Sequence, residues 1–208
     1  TSYIIDDTYQ CAGEYSFTIN TYGPTGMETD SPVTITGISG EASEMERVTL
    51  TIDMLSDNAN HVGDGGGLPA LNDGKVNTYY HTKWNAPVTT EAHYVQIKLN
   101  KPLKDLCFEY DARQSGVNNG GDVKAATIYG SMNGEFFESM GNEEFNLPTT
   151  NGGHATAKNN VSGKQAYNYI RFTPTARRDK DPLDYTVAGS AWWNMSEIYL
   201  YRIRHDEA

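Results

Sequence analysis

Cysteine is scarce. Cys11 and Cys107 are the only two in 208 residues, too few for a disulfide-stapled scaffold, and no Cys-x-x-Cys spacing suggests zinc or redox work. Cys107 lies in an apolar, strand-like run where a buried free thiol is expected; a Cys11–Cys107 bridge stays open as an alternative. Long hydrophobic runs are missing too: no stretch of about 18 apolar residues exists, so neither a spanning helix nor membrane insertion is expected. The chain begins at Thr1 rather than Met, which reads as a processed or trimmed piece from which any export signal would have been removed. Positive charge is absent from residues 1–46, which carry Asp6, Asp7, Glu14, Glu28, Asp30, Glu41, Glu44 and Glu46. Over the whole chain the formal net charge is −11. That field repels phosphate polyanions and anionic lipid surfaces, so nucleic acid and membranes are not expected partners. A neutral ligand or a cation fits better.

Catalytic signatures are lacking as well. There is no Gly-x-Ser-x-Gly, no His-Glu-x-x-His and no nucleophile–base pair at a telling spacing. Glycoside hydrolysis needs two carboxylates facing across a cleft, whereas the acidic residues here are scattered over turns and outward strand positions. The run GDGGGLPALNDGK (63–75) imitates a phosphate loop. Pro69, however, stands where the first glycine belongs, and Val76 follows Gly74-Lys75 in place of Ser or Thr. TARRDKD (175–181) reads as a solvated charged loop that could rim a site. Asn-x-Ser matches at Asn160 and Asn194 would carry little weight if the protein were bacterial. A binding module rather than an enzyme is the expectation.

What the sequence does contain is short alternation of apolar and polar residues, each run closed by Gly, Asn, Pro or Asp. RVTLTIDML (47–55) would put Val48, Leu50, Ile52 and Met54 on one face. HYVQIKL (93–99) and KDLCFEYDAR (104–113) alternate in the same way, followed by AATIYGS (125–131), YNYIRFTP (167–174) and SEIYLYRI (196–203). Asn72-Asp73-Gly74, Asn118-Asn119-Gly120-Gly121, Asn133-Gly134 and Asn151-Gly152-Gly153 supply turns. Six or more strands with one apolar face each predict an all-β, antiparallel sandwich. Residues 1–44 differ in composition and form an acidic N-terminal segment, extended or β, that is one candidate for the end of a preceding domain; residues 45–208 hold the sandwich.

The succession of VTLTIDMLSDNA, LNDGKVNTYYHTKW, HYVQIKLNKPLKDLCFEYDAR, AATIYGSMNGEFFES, YNYIRFTPT and WWNMSEIYLYRI resembles the discoidin, or coagulation-factor type C, domain of the galactose-binding-like superfamily. It is similar above all to bacterial family 32-type carbohydrate-binding modules, over roughly residues 45–204. The resemblance implies an eight-stranded jelly roll. Asp73 and the Thr78 hydroxyl are already hard oxygen donors five residues apart, of the kind Ca²⁺ gathers. The resemblance adds the Glu197 carboxylate and the carbonyls of Ala70, Lys75, Thr78 and Ser196, for a structural calcium site tying the loop to the last strand. It also implies a sugar site in which His81 donates to a hydroxyl, Arg113 makes a second contact, and Asn118, Asn119 and Asp64 stand nearby. An aromatic platform, Trp84 or one of Trp192 and Trp193, would stack on the apolar face of the sugar; Tyr185 could instead fill the place.

The implied function is a non-catalytic module for galactose-type or related glycans, monomeric, within a larger secreted, periplasmic or cell-surface bacterial protein. A protein-interaction or adhesion module of the same fold is the alternative, marked by protruding loops and a buried or misaligned sugar trio. A lipid-headgroup binder ranks last, since it would want apolar spikes ringed by Lys and Arg.

Overall fold

The computed structural model describes residues 14–19, 33–38, 43–61, 63–84, 91–114 and 120–205. The chain divides into two compact units, Thr1–Met45 with Arg204–Ala208, and Glu46–Ile203. In the first, β1 (Glu14–Ile19) and β2 (Val33–Ile38) pair antiparallel from Glu14 opposite Ile38 to Ile19 opposite Val33.

The second unit is an antiparallel β-sandwich. The strands of the chain continue as β3 (Ser43–Arg47), which enters this unit at Glu46, β4 (Leu55–Asp57), β5 (Tyr80–His81), β6 (Val95–Asp111), β7 (Val123–Ser131), β8 (Glu138–Asn146), β9 (His154–Ala157), β10 (Val161–Arg177), β11 (Asn194–Met195) and β12 (Glu197–His205), which leaves it after Ile203. Two of them, β6 and β10, are 17 residues long and run through both layers. Near its start β6 lies between β4 and β10, with Ile97 opposite Leu55 and Ile170. Near its end it lies beside β12, with Phe108 opposite Leu200, and beside β9, with Tyr110 opposite Ala155. On its far side β10 pairs with β7, and β7 with β8.

The core between the layers is aromatic. Phe108, Tyr110, Phe145, Phe172 and Trp193 are fully buried, and Phe108 meets Phe172 at a ring separation of 5.0 Å. Alternation explains the register: along β6, Val95, Ile97 and Leu99 face inward while Gln96 and Lys98 do not. Cys107 breaks the alternation and is buried too, as a free thiol. Burial, with Glu143 and Glu109 nearby, pushes that thiol up to about 12.

Two sequence expectations need correction. The first run, 47–55, is not one strand. β3 stops at Arg47 and the chain curls into a 3-10 turn at Ile52–Met54. Leu50 and Met54 still reach the core, but Ile52 is 45% exposed. The Asn72 side-chain amide caps the curl by donating to the Leu50 carbonyl at 2.8 Å. Secondly, the runs 93–99 and 104–113 fuse into β6 across Asn100-Lys101-Pro102. Pro102 is tolerated because it is exposed and sits where the pairing of β6 with β10 shifts register. The expected turn at Asp73-Gly74 closes a second 3-10 turn, Leu68–Asn72.

Candidate functional site

Three short extended pieces lie side by side at one edge of the sandwich. His61 N donates to the His81 carbonyl (2.9 Å) and Lys83 N to that of Ala59 (2.8 Å). On the other flank, Asn194 pairs with His81 and Met195 with Tyr80. Thr82 locks this flank: its N donates to the Trp193 carbonyl at 3.0 Å, and its hydroxyl accepts from Trp193 N at 2.9 Å. This arrangement sends Tyr80 and Trp193 into the core, ring to ring at 5.3 Å, and leaves His61, His81, Trp84 and Trp192 at the rim.

Glycine makes the approach of the next loop possible. Gly65, at φ +70°, lies so close to Tyr79 that a β-carbon would collide with the Tyr79 carbonyl, and Gly66 N donates to that same carbonyl at 2.9 Å. The loop thereby sets Asp64 against Tyr79, whose hydroxyl donates to its carboxylate at 2.6 Å. Arg113, just past the end of β6, lays its guanidinium 3.7 Å from the centre of the Tyr79 ring. Burial pushes the Asp64 pKa up, but the bond from Tyr79, the nearness of His81 and Arg113 and a bond from Trp84 outweigh it. The carboxyl is held below its usual range.

His81 is 5% exposed. Burial lowers its pKa, so the ring is neutral near pH 7. Its Nδ1 lies 2.6 Å from the Thr82 carbonyl. A carbonyl only accepts, so Nδ1 carries the proton and Nε2 is the bare acceptor. In this tautomer the Nε2 of His81 offers an acceptor rather than a donor.

Trp192 stacks on His81 at 5.2 Å, with 21° between the ring planes. The Arg177 guanidinium also lies 4.0 Å from its ring, and that arginine donates to the carbonyls of Ser190 (2.9 Å) and Trp192 (2.7 Å). Trp84 stays outside. It stacks on His61 at 5.5 Å and is 46% exposed. Of the two adjacent tryptophans, Trp193 is the core residue. Tyr185 does not fill the site: its hydroxyl donates to the Pro174 carbonyl and its ring meets His93 edge-on at 5.0 Å.

The structure thus brings Asp64, His81, Arg113, Trp84 and Trp192 around one patch, with Tyr79 at its centre. Asn118 and Asn119 fall outside the described residues. Sequence reasoning missed Tyr79 and Arg177. Tyr79 had a signal, two residues before His81 in the same loop. Arg177 had none, because its segment reads as a solvated charged loop. The reverse holds: Arg177 is buried and Arg178 makes a fork to the fully buried Asp122, at 3.2 and 2.9 Å.

A second cluster lies along the same loop. The Thr78 hydroxyl donates to Asp73 (2.8 Å to Oδ2) and stands 3.2 Å from the Lys75 carbonyl. Glu197, buried at the start of β12, accepts from Gly74 N (2.6 Å) and Lys75 N (3.0 Å). Its pKa is raised by burial, against those two amide bonds, with the adjacent Asp73 carboxylate adding to the rise. Ala70, buried in the 3-10 turn, and Ser196, next to Glu197, flank the cluster through the chain. Two neighbouring carboxylates with a hydroxyl and a carbonyl are the donors a hard cation takes. Among the described residues no group of three His, Cys, Asp or Glu side chains could hold a metal by itself.

The fold is an antiparallel β-sandwich of the galactose-binding-like class, with a polar and aromatic patch at its loop edge. The F5/8 type C domain model matches residues 56–197; the chain belongs to the F5/8 type C domain family. The C-terminal domain of a chitobiase from Bacteroides fragilis has a similar structure, at 16% identity and TM-score 0.50, covering 78% of this chain and 100% of that one. CpGH89CBM32-5 from Clostridium perfringens, solved in complex with GalNAc-β-1,3-galactose, aligns at 18% identity and TM-score 0.46, covering 70% and 92%. The family 32 carbohydrate-binding module of NanJ from the same organism, solved with galactose, aligns at 18% and TM-score 0.43, covering 71% and 92%. No curated protein sequence matches the chain.

Proposed function

We propose that this domain is a non-catalytic carbohydrate-binding module for galactose-type or related neutral glycans, carried by a larger secreted or cell-surface bacterial protein. One observation carries the reading: the Arg113 guanidinium lies 3.7 Å from the centre of the Tyr79 ring, whose hydroxyl bonds Asp64, with the acceptor Nε2 of His81 and an exposed indole in the same patch. A pyranose offers vicinal hydroxyls and an apolar C–H face. Arg113 donates to one hydroxyl, Asp64 and His81 accept from others, and Trp84 supplies the ring for the C–H face. Arg113 is already stacked, so little side-chain freedom is lost on binding.

The oxygen cluster of Asp73, Thr78, Lys75 and Glu197, with the Ala70 and Ser196 carbonyls, suits a structural Ca²⁺. The ion would supply positive charge between two carboxylates and join the 70–78 loop to β12. Because that loop continues directly into Tyr79 and His81, the ion would hold the sugar contacts in register. It takes no part in any chemistry.

Monosaccharide affinity is expected near the millimolar range, about 4 kcal/mol. Titration calorimetry with galactose, N-acetylgalactosamine and a mucin-type oligosaccharide, on wild type beside His81→Ala and Arg113→Ala, tests the reading. Saturable heat in the wild type, lost in both variants while each still unfolds cooperatively, is the expected result. Silence from every sugar with calcium present would overturn it and favour a protein partner.

A further inference from the structure

A second groove opens on the outer face of the layer built from β4, β6, β10, β7 and β8. Ile170 and Phe172 point into the core, so Arg171 between them faces outward, beside Gln96 on β6 and Tyr129 on β7. Its guanidinium is clamped between two rings, 3.6 Å from Phe137 and 4.1 Å from Tyr94. Its Nε donates to the Gln96 side-chain oxygen at 2.8 Å, and among the described residues its terminal nitrogens make no further hydrogen bond. The groove measures about 210 Å³ and is lined by Glu91, Tyr94, Tyr129, Phe137, Arg171 and Thr173. Tyr94 is fixed by its backbone N–H, which donates to Asn58 Oδ1 at 2.9 Å. Among the described residues the hydroxyls of Tyr94 and Tyr129 have no hydrogen-bond partner.

This set repeats the chemistry of the loop-edge patch with different residues: a guanidinium laid on a tyrosine, one carboxylate close by, and further aromatic surface. We propose that the groove is a second glycan-contact site, taking one neutral pyranose unit. The proposal deepens the glycan reading above and shares no residue with its site. Neutrality follows from charge. Glu91 and Arg171 cancel within the groove, and the chain as a whole is at −11, which disfavours a uronic or sialic acid. The clamp holds the fork of Arg171 open before binding, and Glu91 places a carboxylate in the groove lining. A groove this small takes one sugar ring. Two weak sites on one rigid body favour a polymer over a free monosaccharide, since the second contact becomes intramolecular.

The test is a ¹⁵N–¹H NMR titration of the full chain with methyl β-galactoside and with a neutral galacto-disaccharide. The backbone amides of Gln96, Arg171 and Tyr129 report the groove, and the indole signals of Trp84 and Trp192 report the loop edge. The groove amides are expected to move saturably in the wild type and in His81→Ala. In both Arg171→Gln and Arg171→Lys their dissociation constant should rise about tenfold or more, because lysine keeps the charge but loses the fork. Glucuronate should leave them still. Three results overturn the proposal: groove amides unmoved while the indoles saturate, unchanged affinity in both Arg171 variants, or an equal response to glucuronate. Groove amides that move while the indoles stay silent would uphold this site and sink the loop-edge reading, and silence from both sets would sink both.

Discussion

Replacing Glu143 by glutamine should stabilise the protein, increasingly so as the pH rises. Glu143 sits on β8 with 0% exposure. One carboxyl oxygen accepts from Phe108 N at 2.8 Å, and the other has no partner among the described residues. Burial raises its pKa well above the ordinary 4.5, against the Phe108 bond and with Glu109 adding to the rise. A raised carboxyl pKa means that the folded state holds the proton more tightly than the unfolded chain. The group therefore costs nothing below the ordinary value. Stability then falls by about 1.4 kcal/mol per pH unit as pH climbs towards the folded value. Glutamine keeps the acceptor for Phe108 N–H and has no proton to lose. The difference between variant and wild type should be small at pH 4 and should widen at about that slope above it. Urea unfolding followed by tryptophan fluorescence, run across a pH series on both proteins, measures the difference. His154, whose pKa is raised by its bonds to Asp111 and Glu109 against burial, also makes stability fall as pH rises, but it is common to both proteins and cancels. Parallel pH profiles would refute the reasoning, because they would mean that Glu143 ionises as easily in the fold as outside it.

Trp193→Ala should cost about 3–5 kcal/mol of stability, the loss expected for a large buried ring, whereas Trp84→Ala should leave the thermal midpoint nearly unchanged and abolish sugar binding; thermal scans beside calorimetry separate the two. Calcium should raise the thermal midpoint of the wild type over that in EDTA, by about 2.7 kcal/mol of stability at a hundredfold excess over its dissociation constant, and Asp73→Asn should remove most of that shift. Cys107 should not react with a thiol reagent in the native state near pH 8, since it is buried with its pKa raised to about 12; in a Cys11→Ser background, labelling should appear only where urea unfolds the chain.

The strands were legible wherever one face is apolar and the other polar. β7, β12 and both halves of β6 could be read from their alternation, which the core enforces except at Cys107 and Glu197. β8 was not. Its sequence, ESMGNEEFN, looks like a loop, and only Met140 and Phe145 mark its inner face. The buried Glu143 on that strand defeats any hydropathy rule. The opposite error arose at 47–55, where four evenly spaced apolar residues imitate a strand; Leu50, ahead of the 3-10 turn, and Met54, inside it, reach the core instead.

At the candidate site, His81, Arg113, Asp64, Trp84 and Trp192 could be named from the resemblance. Their contacts could not, since these depend on a glycine at Gly65 and on a shared tyrosine that no spacing rule selects. Arg177 was unreadable for a general reason. A buried arginine bonded to carbonyls and a solvated one have the same neighbours in sequence.

The most direct test of the account is a crystal structure of the domain soaked with galactose in the presence of calcium. The account predicts a pyranose at the loop edge, its hydroxyls bonded to Arg113 and Asp64 and to Nε2 of His81, with its apolar face on Trp84. A galactose bound away from these side chains, or a loop edge that stays bare when the sugar saturates the protein in solution, would contradict it.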